Sequence, residues 1–144
     1  MPFTPQALDQ FMATYERNTA SDDPAAVVAQ FADTFLAAGP DGSVVIPAAA
    51  FAQKLPLRKQ HFDNAGLRFT RLIARRDTPI GERYVLVDTQ WQMDFAPPGK
   101  PAVTLTPQSS FLIDMGAPQP KILAYLSHQD IFKLMEDSDL VSKP

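Results

Sequence analysis

The chain has 144 residues, no cysteine and a formal net charge of −3 at pH 7, with 45% hydrophobic and 20% charged residues. This length predicts one domain spanning residues 1–144, and the average, slightly acidic composition excludes the basic surface typical of nucleic-acid-binding proteins. Lack of cysteine excludes disulfides and thiol nucleophiles, and lack of a long apolar run or a leader-like start predicts a cytoplasmic protein that does not enter a membrane.

Two helices are predicted at the start of the chain, each opened by a capping residue followed by proline. The first begins at Thr4-Pro5 and runs to about Asn18. The second begins at Asp23-Pro24 and is ended by Gly39-Pro40. Helical spacing of apolar residues predicts the buried stripes, which are Leu8, Phe11, Met12 and Tyr15 in the first helix and Val27 or Val28, Phe31 and Phe35 in the second.

The middle of the chain changes from helical to strand patterns. Residues 43–46 form a short strand after the turn at Asp41-Gly42, and residues 47–61 form a third helix that Pro56 breaks or kinks. After Gly66 the strands are predicted over 67–76, 81–95, 102–115 and 121–128, followed by a short helix or irregular tail over 129–136. Pro107 lies inside the third of these strands, which indicates a bulge or an edge position.

The segment 81–95 has the longest clean alternation in the sequence. Its apolar side holds Val85, Val87, Thr89, Trp91, Met93 and Phe95. One face of this strand therefore needs a cover, which the preceding helices can supply. The order of elements predicts an α+β protein, in which a cone-shaped, curved antiparallel sheet wraps around the N-terminal helices in the order α-α-β-α-β-β-β-β.

This order of elements, with several short motifs, resembles the nuclear transport factor 2-like superfamily of cystatin-like fold, which includes SnoaL-like proteins and steroid Δ-isomerases. The resemblance covers residues 8 to 131. It is carried by Phe11-x-x-x-Tyr15, Phe31-Ala32-Asp33, Val45-Ile46-Pro47, Gly66, the segment Thr106-Pro107-Gln108-Ser109-Ser110-Phe111, and Lys121-Ile122. Since one fold of this kind hosts many activities, the resemblance implies a conical cavity and no particular reaction.

The steroid isomerases provide a residue-level comparison. That family binds the substrate oxygen with a helix-1 tyrosine and a strand aspartic acid, and moves the proton with an aspartate that precedes a proline. In this sequence Tyr15 matches the tyrosine, Ser109 stands at the second donor position, and Ile46 stands at the base position before Pro47. A hydrocarbon side chain accepts no proton, so the comparison argues against steroid-isomerase chemistry.

Other candidate catalytic residues are few. His128 and Asp130 close the last strand and have the residue types of a proton shuttle or half a metal site. His61, near the predicted end of the third helix, fits a structural role at the negative end of the helix dipole. No nucleotide-binding glycine motif, nucleophile elbow or ligand-like cluster of metal-binding residues is found, so neither a cofactor nor a metal is predicted.

Two kinds of function remain open from the sequence. In the first, the cone holds a small, largely apolar molecule, either as a binding protein or as a proton-transfer enzyme (isomerase, dehydratase or cyclase). Its predicted ligand-binding residues are Tyr15, Trp91, Met93, Ser109 and Phe111, and its candidate catalytic groups are Tyr15, Ser109, His128 and Asp130. In the second, the chain is a non-catalytic module that forms a homodimer through the outer sheet face. That face carries Tyr84, Leu86, Gln90, Gln92, Thr104, Thr106 and Leu112.

Overall fold

A computed structural model describes residues 3–116 and 118–141. The helices are α1 (Pro5–Asn18), α2 (Pro24–Val28), α3 (Ala48–Asn64) and α4 (Ile131–Asp137). The strands are β1 (Phe31–Gly39), β2 (Gly42–Pro47), β3 (Leu67–Ile80), β4 (Tyr84–Phe95), β5 (Val103–Leu105), β6 (Gln108–Asp114) and β7 (Lys121–Ser127). Helices and strands are segregated along most of the chain, which confirms the predicted α+β class. Across the described part of the chain, every helix is too short or too polar to span a bilayer.

The predicted first helix is confirmed. Thr4 caps α1 by accepting a hydrogen bond from the backbone N–H of Ala7, and Pro5 occupies the first turn. Leu8, Phe11 and Met12 are buried on the side that faces the sheet. The capping chemistry and the apolar spacing are both local in sequence, which is why the sequence alone locates this element.

The predicted second helix is wrong beyond its first turn and a half. α2 ends at Val28, and the residues from Phe31 to Gly39 form strand β1. Phe31 and Phe35 lie four residues apart, a spacing that brings side chains to one face in a helix and also in a strand. Strand pairing decides between helix and strand for this segment, since β1 forms a hairpin with β2 and also pairs with β7.

α3 is continuous from Ala48 to Asn64 and contains Pro56, so of the two predicted alternatives, a break or a kink, the break is wrong. Pro56 is exposed and lacks only one backbone N–H, a loss that a helix packed against neighbouring elements tolerates. The helix lies against α2 and β1 on one side and ends at the turn through Ala65 and Gly66.

The strands form one curved sheet in the order β2-β1-β7-β6-β4-β3, with β5 paired to β4. All pairs are antiparallel except β1 with β7, which is parallel. The prediction of an entirely antiparallel sheet is therefore corrected to a mixed one, and β1 is an additional strand in the element order. The parallel pair arises because α3 and the meander carry the chain from the β1–β2 hairpin to the far edge before β7 returns to lie beside β1.

β4 has the predicted alternation. The side chains of Val85, Val87, Thr89, Trp91, Met93 and Phe95 are all buried, while each intervening residue is partly exposed. The predicted strand 102–115 is divided at Pro107 into β5 and β6, because proline donates no ladder hydrogen bond. The carbonyl of Pro107 still accepts from the backbone N–H of Trp91 at 2.9 Å, so the chain crosses the interruption without leaving the sheet.

Two apolar clusters fill the space between helices and sheet. The larger contains Met12, Phe31, Phe35, Trp91 and Phe111 and is covered by α1 and the first half of α3. The smaller is covered by α4 and consists of Phe62, Ala65, Met93, Phe95, Leu105, Met135 and Leu140. The inward face of β4 contributes to both clusters and thereby joins them.

Gly66 allows a close approach between the end of α3 and β4. Its φ is +86°, and a Cβ at this position would lie 2.6 Å from the carbonyl oxygen of Ala96. Gly81, with φ +65°, has open space around the same position. We expect Gly81→Ala to cost about 1–2 kcal/mol from the backbone conformation alone, and Gly66→Ala to cost a further ~1–3 kcal/mol from the clash.

Urea unfolding of the two variants beside the wild type measures this difference. Equal losses of unfolding free energy in Gly66→Ala and Gly81→Ala would contradict the close approach.

Candidate functional site

Aromatic rings fill the wide part of the cone. The Tyr15 ring lies 4.9 Å from that of Phe111 in an edge-on contact and 5.8 Å from that of Trp91, centroid to centroid. Phe31, whose ring is 6.3 Å from that of Tyr15, packs 4.6 Å from Phe35. Three of the five predicted ligand-binding residues, Tyr15, Trp91 and Phe111, are therefore brought together, with the Tyr15 ring packed against the other two.

Ser109, the fourth predicted ligand-binding residue, is part of a closed hydrogen-bond network. The Thr89 hydroxyl donates to the Ser109 carbonyl at 2.8 Å, and the two side-chain oxygens are also 2.8 Å apart. Trp91 Nε1 donates to Thr89 Oγ1 at 2.8 Å and to Ser109 Oγ at 3.2 Å. Because the Thr89 proton is used on the carbonyl, the Ser109 hydroxyl donates to Thr89. The network satisfies these buried polar groups internally.

Met93 belongs to a different part of the interior. It is buried in the smaller cluster with Phe62, Phe95 and Met135, under α4. Strand alternation places Trp91 and Met93 on one face of β4, but two residues along a strand are about 7 Å apart, enough to reach a separate cluster. Met93 and Tyr15 therefore pack in different clusters.

The Tyr15 hydroxyl is a titratable group of the interior. Within the described part of the chain it makes no hydrogen bond. Burial raises the pKa of Tyr15 well above the usual value of 10.0, the neighbouring Tyr125 raises it further, and the guanidinium of Arg58 opposes them. The phenol therefore stays protonated and can act as a hydrogen-bond donor throughout the neutral pH range.

Tyr125 and Ser127 were not among the predicted residues. Tyr125 pairs with Phe111 in the β6–β7 register, its ring lies 5.3 Å from that of Phe111, and its phenolic oxygen accepts from the Ser127 hydroxyl at 3.1 Å. A register irregularity follows Leu112, so Ile122 and Tyr125 both face inward although they are three residues apart. Strict alternation along 121–128 places Tyr125 on the opposite side from Ile122, which is why the sequence pattern missed it.

His128 and Asp130 do not form the dyad considered from the sequence. Asp130 caps α4 by accepting from the backbone N–H groups of Phe132 and Lys133. His128 is exposed on the outer sheet surface, where its Nε2 lies 2.8 Å from Ser110 Oγ. Ser110 donates to Asp88 Oδ1 at 2.6 Å, so Nε2 of His128 carries the proton shared with Ser110. Neither residue reaches the interior beside Tyr15.

Ile46, which stands at the base position in the steroid-isomerase comparison, has a defined place in the structure. It is partly buried and packs against the larger cluster, directly opposite Phe35 in the β1–β2 register. Its hydrocarbon side chain thus lies in the core. His61 sits in the last turn of α3, as expected, with its ring 5.8 Å from that of Phe132.

Two surface depressions lie outside the cone. One, of about 420 Å³, is beside Pro97, Lys100 and Asp139, and the other, of about 460 Å³, is on the outer face beside Arg76 and His128. In residues 3–116 and 118–141, no three or more His, Asp or Glu side chains converge as metal ligands would.

Three solved structures illustrate what the fold is similar to. Aln2 from a Streptomyces species superposes with a TM-score of 0.72 at 12% identity, over 93% of this chain and 98% of that chain. An NTF2-like protein with a cystatin-like fold from Novosphingobium aromaticivorans gives 0.70 at 11% identity, over 86% and 80%. The beta subunit of the benzoate 1,2-dioxygenase from Burkholderia mallei gives 0.66 at 13% identity, over 93% and 95%.

Sequence comparison adds no closer relative. No protein-family model matches the chain, and no curated protein matches it. The structural similarities show that the chain has the nuclear transport factor 2-like, cystatin-like fold, as the sequence motifs implied. The sequence identities are only 10–16%, so these similarities support the fold and do not support a role for any residue of the interior.

The raised pKa of Tyr15 predicts a pH dependence of stability. The folded chain keeps the Tyr15 proton at pH values where the unfolded chain loses it, so this contribution is complete below about pH 10 and is lost as the pH rises above it. Each pH unit above 10 should remove up to about 1.4 kcal/mol of unfolding free energy. The unfolding free energy of the Tyr15→Phe variant should therefore fall less steeply with pH above 10 than that of the wild type.

Urea unfolding at pH 9, 10 and 11 tests this expectation, with Tyr84→Phe as the matched control on the outer face. An unchanged slope in Tyr15→Phe would show that the hydroxyl is solvated in the folded protein.

Proposed function

We propose that this chain, which has the nuclear transport factor 2-like fold, works by association and pairs with a second copy through the outer face of its sheet. The observation that carries this proposal is an apolar row that crosses the face. Strand register aligns Leu86, Leu112, Ala124, Leu36 and Val45 side by side on β4, β6, β7, β1 and β2. We call these five residues the outer apolar row.

The outer apolar row has the surroundings of an interface. Val45 at its end is 63% exposed, and Leu126, in the next row, is 37% exposed. Neutral polar groups on β4, Gln90 and Gln92, lie on the same face. An apolar centre surrounded by neutral polar groups is the composition expected of a protein–protein interface.

Two pairs of oppositely charged side chains on this face are joined within the chain. Arg83 forms a bidentate pair with Asp114, at 2.8 and 2.9 Å, and Arg76 lies 3.7 Å from Asp88. Internally paired charges need no new counterion when a second surface covers them, so their presence does not oppose burial.

The packing of the interior supports the same proposal. The Tyr15 ring packs against those of Trp91 and Phe111, and the hydroxyl groups of Thr89 and Ser109 are hydrogen-bonded to each other. The match with a dioxygenase beta subunit adds a precedent, because that protein is by its description one component of a larger enzyme. A chain of this fold can thus serve as a subunit.

A single substitution in the outer apolar row should separate the copies. Leu112→Glu would place a carboxylate at the centre of the buried surface, and an unpaired buried charge costs about 3–5 kcal/mol. We expect a dimer for the wild type and, for Leu112→Glu, an association constant reduced more than about 100-fold.

Sedimentation velocity over a concentration series measures both proteins. Leu57→Glu is the matched control, because Leu57 is an exposed leucine on α3, 59% accessible and away from the sheet face. A monomeric wild type at micromolar concentration would refute the proposal.

A second candidate function is the binding of a small, largely apolar molecule inside the cone, with or without proton transfer. The protonated phenol of Tyr15, which lacks a protein partner in the described chain, supports it, as does the Tyr125 hydroxyl nearby. In a proton-transfer version Tyr15 would hold the substrate oxygen, and Ser109, His128 and Asp130 would contribute little, since their groups are engaged with protein atoms.

Fluorescence of the neutral probe N-phenyl-1-naphthylamine tests this second function. We expect saturable enhancement with the wild type and a loss of about tenfold in affinity for Ser127→Leu, which adds apolar bulk beside the Tyr125 hydroxyl. Thr104→Leu, on an exposed strand position, is the control. Absence of saturable binding, or equal binding by Ser127→Leu, would exclude the interior as its site.

A further inference from the structure

The sheet has two edges, β2 and β3, because the order of strands begins with one and ends with the other. An edge strand presents a row of backbone N–H and C=O groups without a neighbouring strand, and such a row can pair with a strand of another chain. Proteins protect their edges with charged side chains, bulges or a covering element. The two edges of this sheet differ in that protection.

β3 is protected along its length. Its register with β4 is irregular after Leu67 and again after Leu72. α1 lies beside this edge, where the carboxylate of Glu16 accepts a hydrogen bond from the backbone N–H of Leu72 at 3.0 Å and Asp9 forms an ion pair with Arg75. The strand also carries five charged residues, which are Arg68, Arg71, Arg75, Arg76 and Asp77. A second strand therefore finds this edge blocked.

β2 has none of these features. It contains no charged residue, and its register with β1 is regular over residues 42–47. Val44 is 56% exposed and Val45 is 63% exposed, and since successive residues of a strand point to opposite faces, the edge is open on both sides of the sheet. Among the residues that the structure describes, the backbone groups of Ser43, Val44 and Val45 hydrogen-bond to no element other than β1.

The strand that fits this edge is β2 of a second copy. Antiparallel pairing of a strand with itself requires a two-fold axis perpendicular to the sheet, and that axis passes beside one residue. With the axis at Val45, each Val45 lies opposite its own counterpart, and each Val44 lies opposite the counterpart of Ile46. β-branched residues then face β-branched residues, and no like charges are opposed, which is a favourable set of cross-strand pairs.

The outer apolar row selects this register. Val45 ends the row at the edge of the sheet, next to Leu36 on β1. An axis at Val45 joins the rows of the two copies end to end, so that apolar side chains continue across the junction. An axis at Val44 would instead place Val45 opposite the counterpart of Ser43, a polar residue, and would interrupt the row.

We propose that β2 pairs edge to edge with β2 of a second copy, antiparallel and centred on Val45, so that the two sheets become one. This contact goes beyond association through the outer face, because it uses backbone groups of the edge, and both contacts can form in one assembly. Six residues from each copy are few against the roughly 20–30 residues a side of a standard interface, so the edge contact alone gives weak association.

Single cysteine substitutions detect such a weak contact and its register, because the chain itself has no cysteine. Directly opposed residues of antiparallel strands have Cβ atoms about 4.5–5.5 Å apart, close to the separation that a disulfide spans. Val45→Cys is placed in the Leu112→Glu variant, in which association through the outer face is weakened. Oxidation with copper phenanthroline should convert it to a covalent dimer, measured over time by non-reducing gel electrophoresis.

Ser43→Cys in the same Leu112→Glu variant is the matched control. Ser43 is exposed and lies on the same face of β2, but pairing centred on Val45 separates it from its counterpart by about four residues of strand, roughly 13 Å. We expect its cross-linking to be at least tenfold slower than that of Val45→Cys, with both rates divided by the rate at which iodoacetamide modifies each thiol. If Leu112→Glu unfolds, the same ratio is measured in the otherwise unchanged chain.

The outcomes separate the edge contact from the outer-face contact. Equal cross-linking of Val45→Cys and Ser43→Cys, or none of Val45→Cys, would overturn the edge pairing, and sedimentation of the wild type still decides association through the outer face. Cross-linking of Val45→Cys that is lost with Leu112→Glu would also overturn it. Adding Val44→Lys, which lies outside the outer apolar row, should slow the cross-linking of Val45→Cys at least tenfold, since a charged edge resists pairing. An unchanged rate would contradict the proposal.

Discussion

The alternation of buried and partly exposed side chains along β4 is the constraint on which the rest of the structure depends. β4 pairs with β3, β5 and β6, so its twelve residues set the register for half of the sheet. A shift by one residue would move every apolar side chain from the core to the outer face. Such a shift is excluded because Trp91 and Thr89 would also lose the hydrogen bonds that make their polar atoms tolerable in the interior.

The interior accommodates its polar groups in two different ways. Thr89, Ser109 and the Trp91 N–H form a network whose members satisfy one another, which makes that region rigid and leaves no donor for another molecule. The Tyr15 hydroxyl and the Arg58 guanidinium lie outside this network. Neither group donates to an acceptor on the described chain, and since every fully buried polar side-chain atom of that chain has a partner, both groups reach solvent.

The two faces of the sheet support different kinds of function. The inner face is covered by α1, α3 and α4 and carries aromatic rings in contact with one another. The outer face carries the outer apolar row, two pairs of oppositely charged side chains, and the hydrogen bonds that join His128 to Ser110 and Ser110 to Asp88. Association uses the outer face and ligand binding uses the inner one, and since the sheet separates them the two functions do not exclude each other.

The amino-acid sequence by itself determined the elements whose signals are local. The cap at Thr4, the alternation of β4, the interruption at Pro107 and the apolar Ile46 before Pro47 all follow from neighbouring residues. It also placed Tyr15, Trp91, Ser109 and Phe111 on inward faces, because periodicity assigns a face to each residue. Tertiary structure decided the rest. β1 is a strand and not a helix because two strands flank it, and Tyr125 faces inward because of the irregularity after Leu112. His128 is joined to Ser110 rather than to Asp130, since pairing between strands, which no local pattern encodes, brings them together.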